Sequence, residues 1–317
     1  MQDYKGEKAQ AQLLENTENP HVPVDFAAFA AAGLALLLWS GTAIANKIAV
    51  IYIDGLSAGV LRSVLAGMIG ATIAFALRLP FPKSGRDIAI LAVSGLCSFA
   101  LWPALLSIGI EFTTASHAAL IMALIPIFTV LILSVIEGRT PHIGWWIGSA
   151  IAVGGAVSLV ILRVDSLDYS SSGASLFGDL IILLGCVACS IGYVAGGSLS
   201  RKLGTIATTF WGLTVTLVVV IPLFAAFSYR TAWGSIPLEG WLALAWMTLL
   251  SSFAGYVLWF YALGRGGIRR IGTLQLALPL VTLALAVLLL NETLTAVLAT
   301  TCVAIVSGTY LAHRHSG

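Results

Sequence analysis

Thr113-Thr114-Ala115-Ser116-His117 opens an apolar run that continues from Ala118 to Ile136, carries a proline at position 126, and closes on Glu137-Gly138-Arg139-Thr140. The same plan returns in the second half of the chain. Gly272-Thr273-Leu274-Gln275 leads into another apolar run with an internal Pro279, which closes on Asn291-Glu292-Thr293-Leu294. A helix needs about 20 apolar residues to cross a bilayer. One such segment is an ordinary membrane helix. Two, built alike at matching places, point to a duplicated membrane protein, and internal repeats of this kind point to transporters.

Composition leads the same way. The 317 residues are 59% hydrophobic and only 9% charged, with a mean hydropathy of +0.98. A soluble domain carries about 25% charged residues, so this chain cannot cover itself with a polar surface. The net charge of +2 carries no nucleic-acid signal, because the basic residues are dispersed between apolar segments. Cys97, Cys186, Cys189 and Cys302 all fall inside apolar segments. Cys186 and Cys189 have redox-motif spacing, but within a membrane helix they read as two packed thiols.

Ten segments qualify as spans: 26–52, 56–77, 88–110, 115–136, 143–162, 176–199, 206–227, 240–263, 271–290 and 294–312. Lipid offers no partners to backbone groups, so each must be a helix. Five spans per half is an odd number, which inverts the second copy. The expected fold is therefore an all-α integral membrane protein with ten transmembrane helices, a five-plus-five inverted repeat around a central cavity. The expected divisions are a disordered cytoplasmic tail at 1–25, a first repeat at 26–162, an extracytoplasmic linker at 163–175, a second repeat at 176–312 and a short tail at 313–317. Residues 1–25 lack a basic stretch joined to a short apolar core, so no cleaved signal peptide is read there. The loops after even-numbered spans hold Arg78, Lys83, Arg86, Arg139, Arg201, Lys202, Arg265, Arg269 and Arg270; those after odd-numbered spans hold only Arg163 and Arg230. Basic loops stay inside, so both termini are expected on the cytoplasmic side.

Ionisable residues within spans are few: Lys47, Arg62, His117 and Asp179. Lys47 and Asp179 read first as groups that snorkel to water from span ends. Arg62 divides evenly between structural packing and a place on a cavity, and His117 between capping its helix and touching a solute. The deeper polar and aromatic candidates for substrate binding are Trp39, Ser40, Phe99, Trp102, Ser190, Tyr193, Ser252, Tyr256 and Gln275, with His117 added. A lone Ser or Thr usually bonds its own helix. Together these neutral donors and aromatic faces suit a small amphipathic or zwitterionic solute. Pro103, Pro126 and Pro279 free backbone carbonyls and are candidate hinges. Spans five and ten carry small-residue stripes, Gly144/Gly148/Ala152 and Thr300/Ala304/Gly308, which suit close packing on each other or a homodimer contact. No metal cluster, hydrolase motif or nucleotide-binding loop is present, so an enzyme, a cofactor, a metal site and an ATP-driven pump are not expected.

These residues resemble the drug/metabolite transporter superfamily in its EamA-domain branch. The resemblance runs from Phe26 to Ala312. It is carried by Leu38-Trp39-Ser40-Gly41 through Asn46-Lys47, by Leu61-Arg62-Ser63, and by Ala115-Ser116-His117-Ala118-Ala119-Leu120 through Pro126 to Glu137-Gly138-Arg139, echoed in Glu292-Thr293-Leu294. The layout is similar to the YddG-type amino-acid exporters. The resemblance implies a bacterial inner-membrane exporter that moves amino acids or related metabolites without ATP, through a cavity lined by spans one, three, four, six, eight and nine. Met122-Ala123-Leu124-Ile125 before Pro126 is poor in aromatics, which favours a broad range of amino acids, aromatic ones included, over strict aromatic selectivity. Export of drugs or sugar-type metabolites, or a channel-like pore, are the alternatives; the absence of a mid-span carboxylate weighs against a cationic-drug pump.

Overall fold

The computed structural model describes residues 26–138, 140–164, 175–266 and 274–314. Those residues form helices and short connections, with no strand among them. Seven helices are long and apolar enough to cross a membrane: Phe26–Tyr52, Gly55–Ala76, Gly85–Glu111, Ala115–Glu137, Leu176–Leu203, Thr205–Arg230 and Ala296–Arg314. Three shorter apolar helices, Ile143–Ser158, Leu238–Ala254 and Leu278–Leu290, fall into the sequence between them. In chain order these are the ten spans of a multi-pass membrane protein. The expected tail at 1–25 and most of the linker lie outside the described residues. The last helix takes in His313 and Arg314, which the sequence reading assigned to the tail. They continue its final turn with no break in backbone bonding.

Packing makes the duplication visible. Span one lies against spans eight and nine, and span six, its counterpart, against spans three and four. Span two packs on seven and span five on ten, as expected where a two-fold relation carries each half onto the other. Local irregularities repeat as well. Spans three and eight each contain a widened π-helical stretch, Leu96–Leu101 and Trp246–Ala254. Span four breaks between Met122 and Ile125, just before Pro126. Span nine enters through a 3-10 turn, Leu274–Ala277, and becomes α-helical at Leu278, just before Pro279. Both then end on a left-handed residue, Gly138 at φ 65° and Asn291 at φ 53°. The continuous helix expected at 115–136 is thus two helices in line. Proline has no N–H to continue the ladder and restricts the residue before it.

The ends of the bundle differ in polarity. One end gathers Asp54, Glu111, Asp179, Glu239 and Glu292. The other carries Asp87 in an ion pair with Lys202 at 2.7 Å. At the acidic end the halves are stitched by polar contacts. The Glu292 carboxylate accepts from the backbone N–H groups of Ala115 and Ser116 at 2.8 and 3.0 Å, satisfying two orphan donors at the start of span four. Lys47 donates to the carbonyls of Ile110 and Thr113 at 2.9 and 2.6 Å, where the third span ends.

Spans five and ten resolve the small-residue stripes. They pack on each other so closely that a Cβ added to Gly148 would lie 2.4 Å from the Ala312 nitrogen and 2.5 Å from the Gly308 carbonyl oxygen. Gly308 is equally tight against Ala152 and Gly148. Close approach of this kind gives van der Waals contact that lipid tails cannot match. Gly154, two turns further along span five, has nothing within 4 Å of an added Cβ. Gly148→Leu should therefore destabilise the detergent-solubilised protein by about 1–3 kcal/mol, read as a lower unfolding midpoint, while Gly154→Ala leaves it unchanged or raised. Equal behaviour of the two variants would contradict the backbone-to-backbone contact.

Candidate functional site

Between spans two, three, seven and eight lies a cavity of about 50 Å³. It is lined by Arg62 and Ser63 from span two; Ser98, Phe99, Trp102 and Pro103 from span three; Thr209 and Leu213 from span seven; and Ser252 from span eight. Both halves contribute, and most of the lining lies well within the spans, with Thr209 in the second turn of span seven. A small-molecule pocket is commonly about 300–1,000 Å³, so this space takes only a few water-sized groups.

Local structure explains why these side chains meet. Gly59 brings span two onto span three, its added Cβ falling 2.6 Å from both the Ala104 Cα and the Pro103 carbonyl oxygen. One turn later on the same helix, Arg62 reaches the cavity. The π-helical stretch in span eight turns consecutive serines inward. Ser251 Oγ is 2.6 Å from Thr42 Oγ1 of span one, and Ser252 Oγ donates to the Met247 carbonyl at 2.8 Å, five residues back. Ser252 in turn accepts from Arg62, at 3.4 Å from Nε and 3.2 Å from Nη2. Ser98, in the π-helical stretch of span three, is buried against Gly192, and its Oγ has no hydrogen-bond partner among the described residues.

Of the residues expected to bind substrate, Phe99, Trp102 and Ser252 line this cavity, with the candidate hinge Pro103 beside them. Trp39 stands apart, joining spans one and eight: its indole N–H donates to the Ser251 carbonyl at 3.0 Å, and its ring lies 5.3 Å from that of Trp259. Trp246 returns the contact by donating to the Leu38 carbonyl at 3.2 Å. Tyr193 is 44% exposed and outside the cavity lining. The side chains of Tyr256 and Gln275 lie outside the described residues.

His117 and Asp179, expected near one face on separate spans, form a buried pair: Nδ1 and Oδ2 are 3.1 Å apart. Thr113 donates to the other carboxylate oxygen at 2.6 Å. His117 lines no part of the cavity; with Asp179 it ties span four to span six near the acidic end. The expected snorkelling of Asp179 is not what occurs, since the group is 3% exposed and held by these partners.

Ser40 and Ser190 occupy equivalent places in the two halves and make equivalent bonds. Ser190 Oγ lies 3.0 Å from the carbonyl oxygen of Ile125, the residue before Pro126. Ser40 Oγ lies 3.4 Å from that of Leu278, the residue before Pro279. Each carbonyl also accepts from a threonine one turn on, Thr129 at 2.8 Å and Thr282 at 2.9 Å. The family resemblance implies a lining from spans one, three, four, six, eight and nine; of these, three and eight contribute to the cavity described here, together with two and seven. Among the described residues, Ala43, Ile44, Leu106, Ala118, Ile121, Ile182 and Cys186 pack together where spans one, three, four and six meet. The sequence reading did not include Arg62 among its binding residues. Its position inside a span was the signal that marked it.

Comparison with known proteins agrees with this architecture. The EamA-like transporter family matches twice, over residues 26–161 and 176–314. The uncharacterized transporter YdeK of Bacillus subtilis is 31% identical over 259 residues, covering 82% of this chain and 87% of its own. A probable terminal-alkyne amino-acid exporter of Streptantibioticus cattleyicolor is 24% identical, covering 65% of this chain and 67% of its own. A probable amino-acid metabolite efflux pump of Escherichia coli is 25% identical, with 62% and 67% covered. One crystal structure shares the fold at a TM-score of 0.58 and 20% identity, covering 90% of this chain and 96% of that one. With two copies of the family's repeat spanning nearly all of its membrane region, the chain belongs to the EamA-like transporter family.

Proposed function

We propose that this transporter exports amino acids, over a broad range that includes aromatic ones, or closely related small metabolites. It does so without ATP, by alternating access of its two inverted halves. The reading places it in a bacterial plasma membrane with both termini in the cytoplasm and the acidic end outward. The observation that carries it is the cavity to which both halves contribute. Aromatic faces from Phe99 and Trp102 meet hydroxyls from Ser63, Ser98, Thr209 and Ser252 there, beside one cationic group. An apolar side chain would lie on the rings, and a solute's polar groups on the hydroxyls. Two relatives described as an amino-acid exporter and an amino-acid metabolite efflux pump support the solute class.

Uptake of labelled threonine, methionine, leucine, phenylalanine, lysine and glutamate into proteoliposomes holding the purified protein tests this directly, with and without a pH gradient. Saturable uptake, cross-competed by several of these, is the expected result. Gradient independence would make the transport facilitative. Failure of folded protein to carry any of them would sink the assignment, and unsaturable flux would replace the carrier with a pore.

The serine–carbonyl contacts before Pro126 and Pro279 lie where spans four and nine change helical form, and on this reading they mark the hinges. Ser40→Ala and Ser190→Ala should each lower stability by about 0.5–2 kcal/mol. Both should alter maximal transport rate by a similar factor while leaving the order of preference among solutes unchanged. A change of preference in either variant would place these serines against the solute instead of at the hinge.

A further inference from the structure

We propose that Arg62 is the anchor for a solute carboxylate, so that the transporter selects for molecules bearing a carboxylate and rejects the matching amines and amides. This rests on the amino-acid reading above and narrows it. Arg62 is 8% exposed and lies well inside span two, where a charged side chain is expensive unless it faces a polar cavity or a partner. Of the bonds it makes, two are instructive. Nε and Nη2, the parallel N–H edge that grips a carboxylate in a two-pronged fashion, both donate to one neutral oxygen, Ser252 Oγ. At 3.4 and 3.2 Å these bonds are longer than the usual 2.9–3.0 Å. A carboxylate would bring two charged acceptors to that edge.

The surroundings fit such a group. Ser63, Ser98 and Thr209 add polar residues to the same lining; the Ser63 hydroxyl donates to the Gly59 carbonyl at 2.9 Å, and Ser98 Oγ is buried against Gly192 of span six. Trp102 and Phe99 extend the lining with apolar surface for the remainder of the solute. Among the described residues that line the cavity, none is acidic. A guanidinium at the wall favours an anionic group, and low dielectric strengthens that attraction. About 50 Å³ accommodates a group of carboxylate size, and the rest of a solute would need the lining to move apart.

The test uses the full-length protein in proteoliposomes, with leucine, leucinamide and 4-methyl-2-oxopentanoate as competitors of labelled leucine uptake; if another amino acid is carried best, its own amide and oxo acid replace them. In the wild type the oxo acid should compete and the amide should compete at least about tenfold more weakly, the loss expected when one charge-assisted pairing is removed. Arg62→Gln should weaken leucine about 10- to 100-fold and bring the acid-to-amide ratio close to one. Arg62→Lys should keep part of the preference, because it retains the charge and loses the fork. Ser252→Ala separates the alternatives: a merely structural arginine would make it resemble Arg62→Gln, whereas an anchor retains its acid-over-amide ratio. Unfolding midpoints in detergent report whether each variant is folded. Should Arg62→Gln fail to fold, the wild-type ratio still decides, since an amide that competes as well as the acid overturns the anchor. Uptake of leucine with an unchanged ratio in Arg62→Gln overturns the anchor and leaves the exporter reading standing. Absence of uptake for every amino acid overturns both.

Discussion

In hydrocarbon a peptide group without a partner has no water to turn to, and leaving it bare costs several kcal/mol. That constraint governs this protein wherever its helices depart from regularity. Near Pro126 and Pro279, a serine from another span and a threonine one turn on both bond the carbonyl of the residue before the proline, tying spans four and nine to their neighbours. The start of span four exposes N–H groups, and the Glu292 carboxylate from the opposite half covers two of them. The ends of span three expose carbonyls, and the Lys47 ammonium bonds that of Ile110 together with the neighbouring Thr113 carbonyl.

The same economy arranges the site. Widened turns in spans three and eight rotate the following residues relative to an ordinary helix, which sets Ser98 and Phe99 on one side and Ser251 and Ser252 on the other. Because the two spans are equivalents in the repeat, a single local irregularity inherited by both copies lines the space between the halves from two directions. Arg62 enters that space because glycine at position 59 lets span two settle directly on the backbone of span three.

Much of this could be read from the chain itself. Spans, inversion and the paired prolines follow from apolar run length and from an odd number of crossings per half, because lipid permits few solutions. The small-residue stripes of spans five and ten left open whether they met each other or a second copy, and the coordinates bring them together. Side-chain destinations were harder. Trp39, Ser40 and Ser190 carry the polar chemistry of a binding residue, yet they bond backbone carbonyls, of a neighbouring helix for Trp39 and Ser40 and of both its own and a neighbouring helix for Ser190; composition cannot distinguish a hydroxyl that bonds a backbone from one that meets a solute. The π-helical stretches have no sequence signature of their own, so although Ser252 was legible as a lining residue, its bonds to Arg62 and to the Met247 carbonyl were not. Asp179 looked like a group at a wet helix end, and only the packing of span four against span six reveals its pairing with His117.

The seam between spans five and ten has a mechanical meaning beyond its packing. These spans lean on four and nine, while two and seven lean on three and eight, so the seam and the cavity occupy opposite flanks of the bundle. Backbones that touch at Gly148 and Gly308 can roll over one another but cannot separate without losing contact along the whole line. On the alternating-access reading proposed above, the seam would act as the spine of a book: a few degrees of rotation there would leave the spine unchanged and give the widest opening at the far edge, where Arg62, Trp102 and Ser252 line the cavity.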